Sequence, residues 1–180
     1  MKFHTKIAAA SILTVVVGSM AMPAMADAQN VNATLGSSVS MTASPADIAS
    51  GGWTLANTGA NTTSGGTVAI NSNAPYTVSV SADKTRMTEY GSGAYIASSP
   101  KALTSALTVT ATRASGSATV PGVGAAAVVG TSTLLGTGTG LGTDSYTLSF
   151  SQPTLITDSA LPSTEVYHIV LTYTAASTLG

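Results

Sequence analysis

The chain has no cysteine. That excludes a disulfide framework, a thiolate nucleophile and any cysteine-ligated zinc or iron–sulfur centre. Charge is scarce too. Asp, Glu, Lys and Arg make up 7% of the 180 residues, against about 25% in an ordinary soluble domain. Six Lys and Arg residues are too few to build the basic patch that holds nucleic acid. Aromatics amount to 5%, with a single Trp. Low charge does not imply disorder, because 44% of the chain is apolar, more than a disordered tail carries. What fills the sequence is 29 Thr, 29 Ala, 24 Ser and 18 Gly.

The first 28 residues read as a secretory signal peptide. Lys2 and Lys6 give a positive start, Ile7 to Val17 is an uncharged apolar run, Pro23 breaks it, and two small-residue cleavage patterns follow, Ala24-Met25-Ala26 and Ala26-Asp27-Ala28. The apolar run falls short of the ~20 residues needed to span a bilayer. An exported chain starting at Gln29 has 152 residues and carries Lys84, Arg86, Lys101 and Arg113 against Asp47, Asp83, Glu89, Asp144, Asp158 and Glu165, a net charge of −2. The expectation is a secreted, extracellular protein with no membrane association after cleavage. A chain of ~150 residues can bury roughly two-thirds of its surface, so it needs no disulfides.

Alternation of period two recurs along residues 29–180, and helical periodicity does not. Val31, Ala33 and Leu35 alternate with polar residues, as do Val39, Met41 and Ala43; Trp53 and Leu55; Val68 and Ile70; Tyr76, Val78 and Val80; Leu107, Val109 and Ala111; Tyr146, Leu148 and Phe150; and Tyr167, Ile169, Leu171 and Tyr173. Gly, Asn, Ser and Pro clusters separate these runs. Many short strands with regular turns predict an all-β fold, an antiparallel β-sandwich of jelly-roll or immunoglobulin-like type with about 8–10 strands. Trp53, Tyr76, Val78, Leu148, Phe150, Ile169 and Leu171 are the expected core. Met87 to Pro100 reads as a long loop with a short strand or turn. Ser115 to Thr143 is rich in Gly, Ala and Thr, with a strand expected around Ala127 to Leu135 and a flexible hairpin connection at Gly136 to Gly142.

No constellation for catalysis stands out. His168 is the only histidine after the leader, so a His-based triad or metal site has no second imidazole; its parity places it on an exposed strand face with Val166, Val170 and Thr172. The Gly136–Gly142 run matches neither the dinucleotide fingerprint nor a P-loop. The carboxylates are scattered, with Asp144 and Asp158 at strand ends where Asp completes turns. No catalytic, cofactor-binding or metal-ligating residue is assigned. Asn32 and Asn61 head acceptor sequons and are candidate glycosylation sites.

The segments GGWTLANTGAN (51–61), GGTVAINSNAPYTVSVS (65–81), KTRMTEY (84–90), LTSALTVTA (103–111), YTLSFSQP (146–153) and VYHIVLTYTA (166–175) together resemble a group of secreted prokaryotic β-sandwich surface and fibre proteins, many of them archaeal. The group includes WxL-like cell-surface domains, camelysin/TasA-like biofilm-fibre proteins and archaeal bundling pilins. Trp53-Thr54-Leu55 is the only W-x-L copy, so wall binding through paired motifs is not implied. The resemblance implies jelly-roll subunits joined when the N-terminal segment of one completes the sheet of the next.

Sheet edges make the same suggestion. Monomeric proteins guard edge strands with Lys, Pro or bulges, and this chain has few guards. Residues 29–38 are a candidate donor strand, with Val31, Ala33 and Leu35 as the alternating side chains that would fill a neighbour's pockets. The same residues could instead form the first strand of their own sandwich. A head-to-tail contact need not close and propagates into a filament. The leading expectation is a structural subunit of an extracellular filament, pilus-like fibre or surface matrix that partners with itself. The alternative is a cell-surface adhesion or carbohydrate-binding module that contacts surface glycans through Tyr90 and Tyr95.

Overall fold

Residues 76–82 show how alternation becomes structure: Tyr76, Val78, Val80 and Ala82 are buried while Thr77, Ser79 and Ser81 between them are half-buried. The computed structural model describes residue 33 and residues 35–43, 45–48, 52–119, 126–127 and 131–179. The chain divides into two units, Met1–Thr34 and Leu35–Gly180. Only Ala33 of the first is described, so the leader, Val31 and Asn32 lie outside the described residues.

The described residues contain eleven strands and no helix. They are β1 (Val39–Ala43), β2 (Gly59–Ser72), β3 (Tyr76–Ala82), β4 (Thr88–Gly91), β5 (Ala94–Tyr95), β6 (Thr108–Ser115), β7 (Ala126–Ala127), β8 (Thr133–Gly138), β9 (Gly142–Thr154), β10 (Glu165–His168) and β11 (Leu171–Ser177). They form a five-stranded sheet in the order β1-β2-β9-β6-β7 and two three-stranded sheets, β11-β3-β8 and β10-β4-β5. Every pairing is antiparallel.

One apolar cluster joins the first two sheets. Val68, Ile70, Val109, Tyr146, Leu148 and Phe150 come from the five-stranded sheet, and Tyr76, Val78, Val80 and Leu135 from β3 and β8. Two sheets burying their inner faces against each other is the arrangement expected of a β-sandwich. Each large buried side chain contributes about 1.5–3 kcal/mol relative to exposure. Trp53, Ile169 and Leu171 are half-buried against this cluster. Outward positions of β2, β6 and β9 hold Thr and Ser, whose β-branch or small size suits an exposed strand.

Several expectations change. Trp53 and Leu55 do not lie on a strand; residues 52–58 are irregular, because Gly52 and Asn57 break the short alternation. Met87 to Pro100, expected as a loop with a short strand or turn, holds two short strands, β4 and β5, that form a hairpin through Ser92 and Gly93, both with positive φ; the rest of it is loop. The strand expected around 127–135 is two described pieces, β7 and β8. The last alternating run is divided at Ile169 and Val170, so β10 and β11 belong to different sheets. Asp83 holds that break. Its amide donates to the Val170 carbonyl (3.1 Å), and its carboxylate accepts from the Val170 amide (2.9 Å).

Candidate functional site

The glycine run at 136–142, expected to turn a hairpin, does not: β8 and β9 belong to different sheets, residues 139–141 cross between them, and the first two glycines of the run serve packing. Gly136 and Gly138 lie on β8 and are buried. A Cβ on Gly136 would sit 2.4 Å from the Tyr146 ring, and one on Gly138 would sit 2.1 Å from the Tyr76 ring. Period two puts both glycines on one face, where they leave room for two phenols. Between the sheets the Tyr76 hydroxyl donates to Asp144 Oδ2 (2.7 Å) and lies 3.2 Å from the Tyr146 hydroxyl. With its proton committed to Asp144, Tyr76 accepts from Tyr146. Asp144 Oδ1 accepts from the amides of Ser117 and Ala118, the latter at 3.0 Å.

Asp144 therefore does more than complete a turn. It lies inside β9, 3% exposed, and ties the turn after β6 to the core. Burial pushes the Tyr76 phenol far above its usual range, reinforced by its bonds to Tyr146 and Asp144, and burial raises Tyr146 as well. These phenols stay neutral, so the group is a satisfied polar lock and supplies no nucleophile.

The β10-β4-β5 sheet has two chemically different faces. Tyr90, Tyr95 and His168 share one. The His168 ring stacks on Tyr90 (centroids 4.3 Å apart, planes at 30°), and Tyr95 meets Tyr90 edge-on at 5.3 Å. Lys84 Nζ lies 4.5 Å over the Tyr95 ring, and the Tyr95 hydroxyl donates to Asp83 Oδ2 (2.7 Å). His168 is thus half-buried in an aromatic stack and not a solvated strand residue. The rings of Tyr90 and Tyr95 already have partners within the chain. The opposite face carries Glu89 and Glu165, two carboxyls that the sequence did not mark as a pair.

Asn61 also has a structural role. Its two Nδ2 protons are shared among the carbonyls of Gly59 and Gln152 and Thr154 Oγ1 (3.3, 3.2 and 3.1 Å), and its Oδ1 accepts from the Ala56 amide (2.6 Å). A glycan on Nδ2 would remove one of those donors and need space beside β9. Asp158, as expected of a turn residue, accepts from the Leu155 and Thr104 amides and the Thr104 hydroxyl.

The candidate assembly site lies where the chain enters β1. Residues 35–38 form no strand. Asn73 clamps them: its amide donates to the Ser38 carbonyl, its Nδ2 to the Gly36 carbonyl, and its Oδ1 accepts from the Ser38 amide. Upstream of the clamp Leu35 is 88% exposed, and Ala33 is exposed too. β1 and β11 are outer strands of their sheets and lie beside one another. Neither contains a charged residue or a proline. Tyr173 on β11 is half-buried, and its buried hydroxyl has no hydrogen-bond partner among the described residues. Burial pushes that phenol up to about 12. Comparison with protein-family models, with curated proteins and with solved structures finds no match for this chain.

Proposed function

We propose that the protein is a secreted structural subunit of an extracellular filament, pilus-like fibre or surface matrix. Its fold is read as a β-sandwich of jelly-roll type that follows a cleaved signal peptide. Assembly is head-to-tail, with residues 29–35 of one copy, ahead of the Asn73 clamp that keeps residues 36–38 in their own domain, adding a strand to the sheet of the next. The observation that carries this reading is the exposure of Leu35, at 88%, immediately before the Asn73 clamp. An apolar side chain on an alternating segment that its own domain leaves in water suits insertion elsewhere. The uncharged margins of β1 and β11 support the same reading, since unguarded edges invite added strands.

This role needs no catalytic group, cofactor or metal. Binding of surface glycans through Tyr90 and Tyr95 is the weaker reading, because His168 and Lys84 already occupy their rings. Negative-stain electron microscopy of the purified exported chain tests the proposal. Filaments are expected, and uniformly single particles at every concentration would overturn it.

A further inference from the structure

Two carboxyl groups meet on the second face of the β10-β4-β5 sheet. The antiparallel register sets Glu165 opposite Gly91 and Tyr167 opposite Glu89, so these four residues share a face. A Cβ on Gly91 would lie 2.9 Å from Glu165 Cγ. The bare glycine therefore lets the Glu165 side chain lie down across β4 toward Glu89. Each carboxyl shifts the titration of the other. Two ionised carboxylates hold only acceptors, so a hydrogen bond between them requires one of the pair to carry a proton.

The surroundings decide which. Glu89 is 6% exposed, and its Oε2 accepts from the Lys101 amide at 2.9 Å. Glu165 Oε2 is buried and has no partner among the described residues. Glu89 therefore keeps the charge and Glu165 keeps the proton. The other titratable groups on this side are Lys101, Tyr167 and Asp158. The Lys101 ammonium attracts both carboxyls but donates to the Ala160 carbonyl (3.2 Å). The Tyr167 hydroxyl donates to the Ser159 carbonyl (2.7 Å), and Asp158 acts on Tyr167. His168, Tyr90, Tyr95, Lys84 and Asp83 belong to the aromatic cluster on the opposite face.

We propose that Glu89 and Glu165 form a one-proton latch that fastens β10 to β4 and opens when the proton leaves. β10 runs directly into β11, so the latch also steadies the C-terminal chain from Ile169 onward. The inference stands whether or not the protein polymerises.

The pH dependence follows from the two shifts. The bond to Glu89 raises the pKa of Glu165, with burial adding to it. A raised pKa gives stability that is present below the ordinary glutamate value and is lost as pH rises through the folded one. The Lys101 amide lowers the pKa of Glu89, with its bond to Glu165 adding to it. That contribution is present above the ordinary value and is lost as pH falls through the folded one. The latch is tightest in the mildly acidic range, between the two folded values.

Thermal unfolding of the purified chain at about pH 5 and about pH 8 tests this, with Glu165→Gln as the comparison. The amide of Gln donates to Glu89 at every pH. The wild-type midpoint is expected to fall from the lower pH to the higher, and the Glu165→Gln midpoint to hold. An equal fall in both proteins, or no fall in the wild type, overturns the latch. If Glu165→Gln does not fold, carboxyl carbon-13 titration of the wild type decides. Two well-separated steps, Glu165 last, support the latch; superimposed steps at the ordinary glutamate value overturn it.

Discussion

The hydroxyl of Tyr76 on β3 donates to the carboxylate of Asp144 on β9 at 2.7 Å, joining the two sheets that share the core. Both residues are almost fully buried, at 1% and 3% exposure. Tyr76→Phe leaves one carboxylate oxygen with no donor in a dry site. It is expected to lower stability by about 1–3 kcal/mol, whereas Tyr146→Phe, which removes a bond between neutral groups, costs about 0.5–1.5 kcal/mol. Denaturant unfolding of the two variants checks the order.

The tyrosines give a pH signature at the alkaline end. Burial raises Tyr76, Tyr95, Tyr146, Tyr167 and Tyr173 in the folded chain. Raised phenol values contribute stability that is intact below the unfolded tyrosine value of about 10 and fades above it. Ultraviolet titration of the native protein is expected to show most phenolate signal only above that value, together with unfolding. A full tyrosine signal at about pH 10 from a protein that stays folded would contradict the burial described here.

Much of the fold was legible because period-two alternation reports strand faces directly. Tyr76, Val78, Leu148 and Phe150 are buried where their parity places them. The sites of contact between strands were not legible, since they depend on register. Gly136 and Gly138 look like linker residues until β8 is set against the Tyr146 and Tyr76 rings. Glu89 and Glu165 are 76 positions apart in sequence, and only the β4–β10 register brings them together. The alternation of Tyr167 to Tyr173 hides the break at Val170, because the signal for it is Asp83, a residue on another strand's end. Asn61 shows the reverse problem: its sequon suggests modification, while its neighbours in space show an amide fully engaged.

Asn61 makes a separate prediction. With the two Nδ2 protons shared among three acceptors, peptide mapping of the purified protein is expected to find Asn61 unmodified. Asn61→Ala unfastens residues 56–58 from the end of β9 and is expected to cost about 1–3 kcal/mol. Glycan at Asn61 in a folded protein, or an Asn61→Ala variant as stable as wild type, would contradict this role.

Leu35 and Leu141 are equally exposed, each at 88%, but only Leu35 belongs to the N-terminal arm. Electron microscopy of Leu35→Asp beside Leu141→Asp therefore separates arm insertion from general surface stickiness. Both variants are expected to remain folded and soluble, with Leu141→Asp forming filaments and Leu35→Asp forming none. Filaments of ordinary length from Leu35→Asp would contradict assembly through the arm.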